Sequence, residues 1–432
     1  MAPDALKRSL GLGSLAFYGV GVILGAGIYS ILGEAAGIAG TALWWSFLLA
    51  SLAALPTGLA YAELAAMYPQ AGAEYVYLQV AWPNIRWMPA TLGWVLVASG
   101  ITTTATVSLA FAGYASRFLS LPLWVLAAMV IAAAGTLNAL GANEASGANI
   151  VFTLIEASGL LALIWVGMRT PGFGQVFMTP PHPGVLGATA LIFFAYLGFE
   201  EIANLAEEAR HPGRDLPRAI LIAVAVSTVL YILVAAASVS LLEPALLAAS
   251  PSPLAEAMQA GAPGLAGALA GVALFATANT ALISMMATSR LLFAMARGGH
   301  APPQLSQTFA IRGTPVFAIL CIVAGSLASL TIGNVGVAGS VASLLALITF
   351  AAVNAALVRL RFTHPDTPRP FRVPLSLGRV PVPIVFGLVV VVLLIAGFEP
   401  PAYGITAVML ILGLVLQAIP WQRASSAIGR RS

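Results

Sequence analysis

The chain has 432 residues, of which 60% are hydrophobic and only 8% are charged. Soluble domains carry about 25% charged residues, so this composition, with a mean hydropathy of +0.96, predicts a protein that crosses a membrane several times. The net charge of +4 does not indicate nucleic acid binding, because the sequence has no basic patch with interleaved aromatic residues. The single cysteine, Cys321, excludes an intramolecular disulfide and Cys/His metal spacing, so no metal site is expected.

Twelve apolar windows have the length of about 20 residues that a transmembrane helix requires. They cover residues 11–36, 41–66, 88–118, 122–139, 149–168, 184–208, 215–242, 263–295, 314–332, 335–358, 381–398 and 401–420. The linkers between them are too short for a soluble domain. We therefore expect an all-α polytopic membrane protein in which residues 1–432 form a single integral membrane domain.

The distribution of Lys and Arg predicts how these spans are oriented. If the N-terminus is cytoplasmic, seventeen of the nineteen basic residues fall on the cytoplasmic side, and only Arg117 and Arg169 fall outside. Basic residues concentrate in cytoplasmic loops. The sequence thus predicts a multi-pass protein of the cytoplasmic (inner) membrane with both termini in the cytoplasm.

Glycines interrupt the first and the sixth window, at residues 19–29 and 193–200. A helix broken by glycine exposes backbone groups, which hydrocarbon tolerates only where they line a cavity. Paired breaks in matching spans point to the binding site of a transporter. The halves 11–168 and 184–358 then predict a five-plus-five inverted repeat with broken helices 1 and 6, followed by two extra helices in 381–420. Alternatively, the glycines only allow helices to pack closely.

The two breaks offer opposite partial charges. At the first break, free N–H groups at the start of the resumed helix favour a carboxylate, and at the second break, freed carbonyl groups favour an ammonium group. The candidate substrate contacts are Gly25, Ala26, Gly27 and Ile28 at the first break and Phe193, Phe194, Ala195, Tyr196 and Leu197 at the second. The side chains of Phe194 and Tyr196 are candidates to cap the cavity.

Several segments resemble the amino acid–polyamine–organocation (APC) superfamily, and in particular its bacterial amino acid permeases. They are the glycine-rich first span, residues 61–72, residues 196–200 with 207–220, and residues 359–374. The resemblance implies the five-plus-five fold, alternating access, and transport of an amino acid or amine. It implies neither a cofactor nor an enzymatic activity, and the spans contain no His-rich box or paired aspartates that would indicate one.

Two acids within the spans are candidates for ion coupling, because an ionisable group in a span is costly. Glu200 follows the second break, at an acidic position that some superfamily members use for proton coupling; a structural acceptor that ties down the broken helix is the alternative. Glu156 lies where some members carry a lysine that replaces a sodium ion. It could bind a proton or cation, pair with a basic group such as Arg290, or be a buried hydrogen-bonded acid.

Polar residues in two other spans are further candidates. In the eighth span, Asn279 and Thr280 could supply oxygens to a sodium ion, although hydroxyls in membrane helices often bond their own backbone. In the third span, Ser99, Thr103 and Thr104 could line the substrate cavity or join helices. Neither span contains an acid, which favours a neutral substrate.

We therefore expect a secondary active transporter that carries amino acids across the membrane, with proton-coupled symport of a neutral amino acid as the leading interpretation. An amino acid or amine exchanger and a transport-inactive sensor are the alternatives. The expected partners are the amino acid substrate, a proton or a sodium ion, and the lipid bilayer. The sequence leaves open whether the protein is a monomer or a homodimer.

Overall fold

The computed structural model describes residues 10–69, 73–85, 87–141, 146–206, 208–308 and 314–419, and they are mostly helical. The helices of the first half are α1 Leu12–Leu24, α2 Ala26–Ala39, α3 Leu43–Met67, α4 Ala73–Ala81, α5 Trp87–Ala115, α6 Leu123–Ala139 and α7 Ser146–Gly167. Those that follow are α8 Phe173–Val176, α9 Gly184–Ile192, α10 Glu201–Asn204, α11 Pro212–Leu241, α12 Pro244–Ala249, α13 Pro253–Gly261, α14 Pro263–Arg297, α15 Val316–Ser329, α16 Val335–Thr363, α17 Val382–Ile395 and α18 Pro400–Ala418. A small antiparallel hairpin of β1 Ser376–Leu377 and β2 Val380–Pro381 lies between α16 and α17, with Ser376 opposite Pro381.

Each of the twelve predicted windows contains helix in the described residues. Seven helical stretches there are long and apolar enough to cross a membrane, and five further apolar helices are shorter, with 10–17 residues. The longest stretch, Ala26–Met67, includes parts of two predicted spans. These two parts meet at Gly40, where the chain turns and φ is +56°. A multi-pass membrane protein is therefore supported, whereas the count of twelve crossings, the inverted repeat and the orientation stay predictions. Residues 1–9 and 420–432, which carry several of the basic residues on which the predicted orientation rests, lie outside the described part.

The packing separates a buried centre from an apolar periphery. At the centre, α11 packs against α1 and α3, while α5 packs against α14 and α16. At the periphery, α18 exposes more than half of Val408, Ile411, Leu412 and Val415. Side chains of this kind are as apolar as lipid tails, so this face suits contact with the bilayer.

The two broken spans are joined by their backbones near one end. Leu10, just before α1, and Ala209, after the second break, form an isolated parallel β-bridge. Leu10 N donates to Glu208 O at 3.0 Å, and Arg210 N donates to Leu10 O at 2.9 Å.

A buried ion cluster connects α3 to the end of α16 and to the link that follows it. Glu63 is fully buried and accepts two hydrogen bonds from Arg361, at 2.7 and 2.5 Å, and one from Arg369 Nε at 3.1 Å. Val373 N also donates to Glu63 Oε2 at 2.7 Å. Buried charges are stable only when they are paired and hydrogen-bonded, and this carboxylate has four donors.

We predict that Glu63→Ala strongly destabilises the protein, because it leaves buried Arg361 without its carboxylate. Removing one partner of a buried ion pair costs about 3–5 kcal/mol. Glu256→Ala is the matched control, since it breaks the partly exposed pair with Arg117, for which the expected cost is below about 1 kcal/mol. Thermal unfolding of the purified variants in detergent tests this, and equal shifts in melting temperature would contradict it.

Candidate functional site

The first break is a single residue. The helix α1 ends at Leu24, Gly25 adopts a non-helical conformation with φ −38° and ψ −150°, and α2 begins at Ala26. Ala26 N, one of the backbone donors that the break frees, donates to Thr280 Oγ1 on α14 at 3.0 Å. The start of α2 is thereby anchored to α14, and the hydroxyl oxygen of Thr280 keeps a lone pair for a further partner.

The second break is longer. After α9, residues Phe193–Tyr196 form one turn of 3₁₀ helix, Leu197 is extended with φ −59° and ψ 138°, and Gly198 has a φ of +117°. Among the residues described between this turn and α11, only the four residues of α10 are helical. A side chain other than glycine would be strained at a φ of this sign.

The side chain of Glu200 folds back onto this second break. Its Oε2 accepts a hydrogen bond from Gly198 N at 2.9 Å. This contact satisfies a backbone donor that the interrupted helix would otherwise leave free. The geometry therefore supports the structural alternative for Glu200, that of an acceptor which ties down the broken helix.

The two breaks lie against each other. A Cβ atom added at Gly27 would come within 2.6 Å of Ala195 Cα, and one added at Gly198 would come within 2.5 Å of Val22 Cγ1. Such distances leave no room for a side chain. The glycines therefore do more than interrupt the helices: they allow the two predicted substrate segments to approach within contact distance.

The aromatic side chains of the second break are buried. Phe193 packs edge-on against Phe350 of α16 at a centroid distance of 5.8 Å, and Phe194 is only 4% exposed. The Tyr196 hydroxyl donates to Phe47 O at 2.9 Å and to Thr228 Oγ1 at 3.1 Å, which places it between α3 and α11. Capping of a cavity by Phe194 or Tyr196 stays a prediction.

Glu156 lies on α7 and is only 2% exposed. Its Oε1 has no hydrogen-bond partner among the described residues. The side chain of Asn279 on α14 lies near this carboxyl group, and the Glu156 backbone carbonyl accepts from Tyr29 Oη at 2.8 Å. None of the ion pairs found among the described residues includes Glu156, so the suggested pairing with Arg290 is not seen there.

The predicted polar residues of α5 are spread over several contacts. Ser99 Oγ lies 3.5 Å from Ala342 O of α16, and Thr104 Oγ1 donates to Gly100 O at 2.8 Å. Thr104 also lies 3.3 Å from Ser284 Oγ of α14. These contacts agree with the helix-joining alternative, while Thr103 is partly exposed.

A residue that the sequence analysis missed connects the two breaks. Tyr231 of α11 is fully buried, and its hydroxyl donates to Ile23 O at the end of α1 and to Ala195 O at the second break. In the sequence, the only sign of this contact was a tyrosine hydroxyl in the middle of the apolar window 215–242. A tyrosine at such a position gives no indication of its partner, so the contact required the structure.

Another buried acid lies outside the spans, on the short helix α4. The Glu74 carboxylate accepts from Tyr61 Oη at 3.1 Å. Burial raises the pKa of Glu74 from its usual value near 4.5 to about 7, and the charge of nearby Glu201 acts in the same direction. This carboxyl group therefore titrates close to neutral pH.

Comparison with known proteins gives a match over nearly the whole chain. A family model described as amino acid permease matches residues 10–417, which is nearly the whole chain. The match confirms the resemblance inferred from the sequence motifs.

Three relatives illustrate the range of similarity. The branched-chain amino acid permease BcaP of Bacillus subtilis is 30% identical over 421 residues, covering 89% of this chain and 86% of its own. The methylthioribose transporter of the same organism is 29% identical, covering 86% and 85%. The vacuolar cationic amino acid transporter 4 of Arabidopsis thaliana is 29% identical, covering 84% of this chain and 65% of its own.

We predict that Gly198→Ala destabilises the protein, because the new Cβ would meet Val22 and strain the backbone, with a cost above about 1 kcal/mol. Gly267→Ala on α14 is the matched control, since nothing lies within 4 Å of the added atom there. Alanine exceeds glycine in helix propensity by about 1 kcal/mol, so the control should be neutral or slightly stabilising. Equal melting temperatures for the two variants would show that the close approach is not required.

Proposed function

The chain belongs to the amino acid permease family, and from this premise we propose that it is a secondary active transporter that moves amino acids across the cytoplasmic membrane by alternating access. We propose proton-coupled symport of a neutral amino acid as its mode. The observation that carries the proposal is the direct contact of the two helix breaks, Gly27 against Ala195 and Gly198 against Val22.

The charge pattern of the breaks supports an amino acid as the substrate. The N-terminal end of α2, at residues 26–28, carries the positive end of a helix dipole and suits a carboxylate. The end of the α9 segment, at residues 193–197, carries the negative end and suits an ammonium group. The two ends can thus bind the zwitterionic part of an amino acid without a charged side chain.

The choice of a neutral side chain rests on the helices that would line the cavity. Neither α5 nor α14 contains an Asp or Glu residue, so neither offers a carboxylate to a second ammonium group on the substrate. The name of the Bacillus subtilis branched-chain permease agrees with a neutral substrate. The name of the plant cationic transporter represents the alternative, a cationic amino acid as the substrate.

Glu156 is our choice for the coupling group. It is buried beside Asn279, and it has an oxygen without a partner among the described residues. A buried carboxylate without a counter-charge is costly, and a proton removes that cost. Proton binding at Glu156 would thus differ in free energy between states that bury it and states that expose it to water.

The test of the proposed function is counterflow in proteoliposomes. Vesicles preloaded with unlabelled leucine should accumulate labelled leucine, and a pH gradient, acidic outside, should drive net uptake from empty vesicles. Counterflow without net uptake would replace symport by exchange, and saturable binding without flux would indicate a sensor. If no amino acid among the standard twenty were bound or carried, amino acid transport would be wrong.

We predict that Glu156→Gln abolishes uptake driven by the pH gradient while counterflow persists, because the amide resembles the protonated acid and can no longer release a proton. The measurement is initial uptake at external pH values between 5 and 8. Glu256→Gln, which changes a partly exposed acid paired with Arg117, is the control and should keep the wild-type pH profile. An unchanged profile in Glu156→Gln would exclude this role.

A further inference from the structure

Two helix ends of the same polarity meet at the contact between the breaks. The helix α1 ends at Leu24, and the 3₁₀ turn that extends α9 ends at Tyr196. The last carbonyl groups of a helix lack partners within the helix and carry partial negative charge. These two ends therefore repel each other, and a donor is needed between them.

The hydroxyl of Tyr231 is that donor. It reaches the carbonyl oxygen of Ile23 at the first helix end, and that of Ala195 at the second, the latter at 3.0 Å. A tyrosine hydroxyl carries a single proton, so two carbonyl groups share one hydrogen. The region between the helix ends thus remains electronegative even with Tyr231 in place.

The ring of Tyr231 is held firmly in this position. It packs edge-on against Tyr196 at a centroid distance of 5.5 Å, and it lies tilted against the ring of Phe47 of α3 at 5.4 Å. Tyr196 is itself hydrogen-bonded to Thr228, one turn before Tyr231 on α11. Because the ring is packed against two elements other than its own helix, the hydroxyl has little freedom to turn away from the two carbonyl groups.

We propose that Tyr231 is a positioning residue that sets the distance between the two helix ends and thereby the affinity for the amine of the substrate. An ammonium group brings positive charge and several donors to a region where carbonyl groups share one proton. Binding is strong only if the acceptors are already at the right spacing, since ordering them afterwards costs affinity. This inference rests on the proposed transport of amino acids.

The experiment compares Tyr231→Phe with Tyr114→Phe in counterflow. Tyr114 is an equally buried tyrosine whose hydroxyl donates to one carbonyl group, Tyr29 O of α2, and does not join the breaks. The probe is the better transported of labelled leucine and labelled lysine. Tyr231→Phe should raise KM by about tenfold, the effect of losing roughly 1.4 kcal/mol of binding, while the maximal rate and the melting temperature stay close to those of Tyr114→Phe.

A purely structural role would lower the melting temperature and the maximal rate of Tyr231→Phe together and leave KM unchanged, and that result overturns the proposal. Equal KM values in the two variants overturn it as well. If Tyr231→Phe does not fold, Tyr231→His replaces it. The histidine ring is shorter than that of tyrosine, so its N–H lies farther from the two carbonyl groups, and this variant should also raise KM. If the wild type carries neither leucine nor lysine, the probe is whichever of the standard twenty amino acids it carries best. A wild type that carries none of them refutes this inference together with amino acid transport, whereas an active wild type with an unaffected Tyr231 variant refutes this inference alone.

Discussion

The structure depends on one requirement: backbone groups exposed by an interrupted helix need partners, because hydrocarbon supplies none. At the first break, Thr280 accepts from Ala26 N. At the second break, Glu200 accepts from Gly198 N, and Tyr231 donates to a carbonyl group on each side. A hydroxyl, a carboxylate and a phenol thus replace helix hydrogen bonds, and each comes from a position that packing holds in place.

The same requirement explains why small residues are concentrated where the breaks meet. Direct contact between Gly27 and Ala195 brings backbone against backbone, so few side chains intervene between the two interrupted segments. Close backbone approach of this kind is typical of helix packing in membranes. The polar backbone is therefore gathered in one small region, and the surrounding helices can remain apolar.

The local features of the fold were predictable from the sequence, whereas its distant pairings were not. Glycines and apolar length located the interruption at Gly25 and the helical windows, because both are properties of short segments. The cluster of Glu63 with Arg361 and Arg369 joins residues about 300 positions apart, and no periodicity in the sequence indicates such a partner. The hydrogen bonds of Tyr231 could not be predicted for the same reason, since both of its acceptors are backbone carbonyl oxygens on distant segments. The substrate and ion roles of the individual residues stay predictions.

The bridge between Leu10 and Ala209 has a mechanical consequence. Its two hydrogen bonds join main-chain atoms, so they do not depend on which side chains stand there, proline excepted because it lacks the N–H donor. The start of α1 and the segment that leaves the second break are fastened at this end, and one cannot tilt away without breaking both bonds or carrying the other along. A passage that opens near this end would therefore form between this fastened pair and the neighbouring helices, and not between its two members.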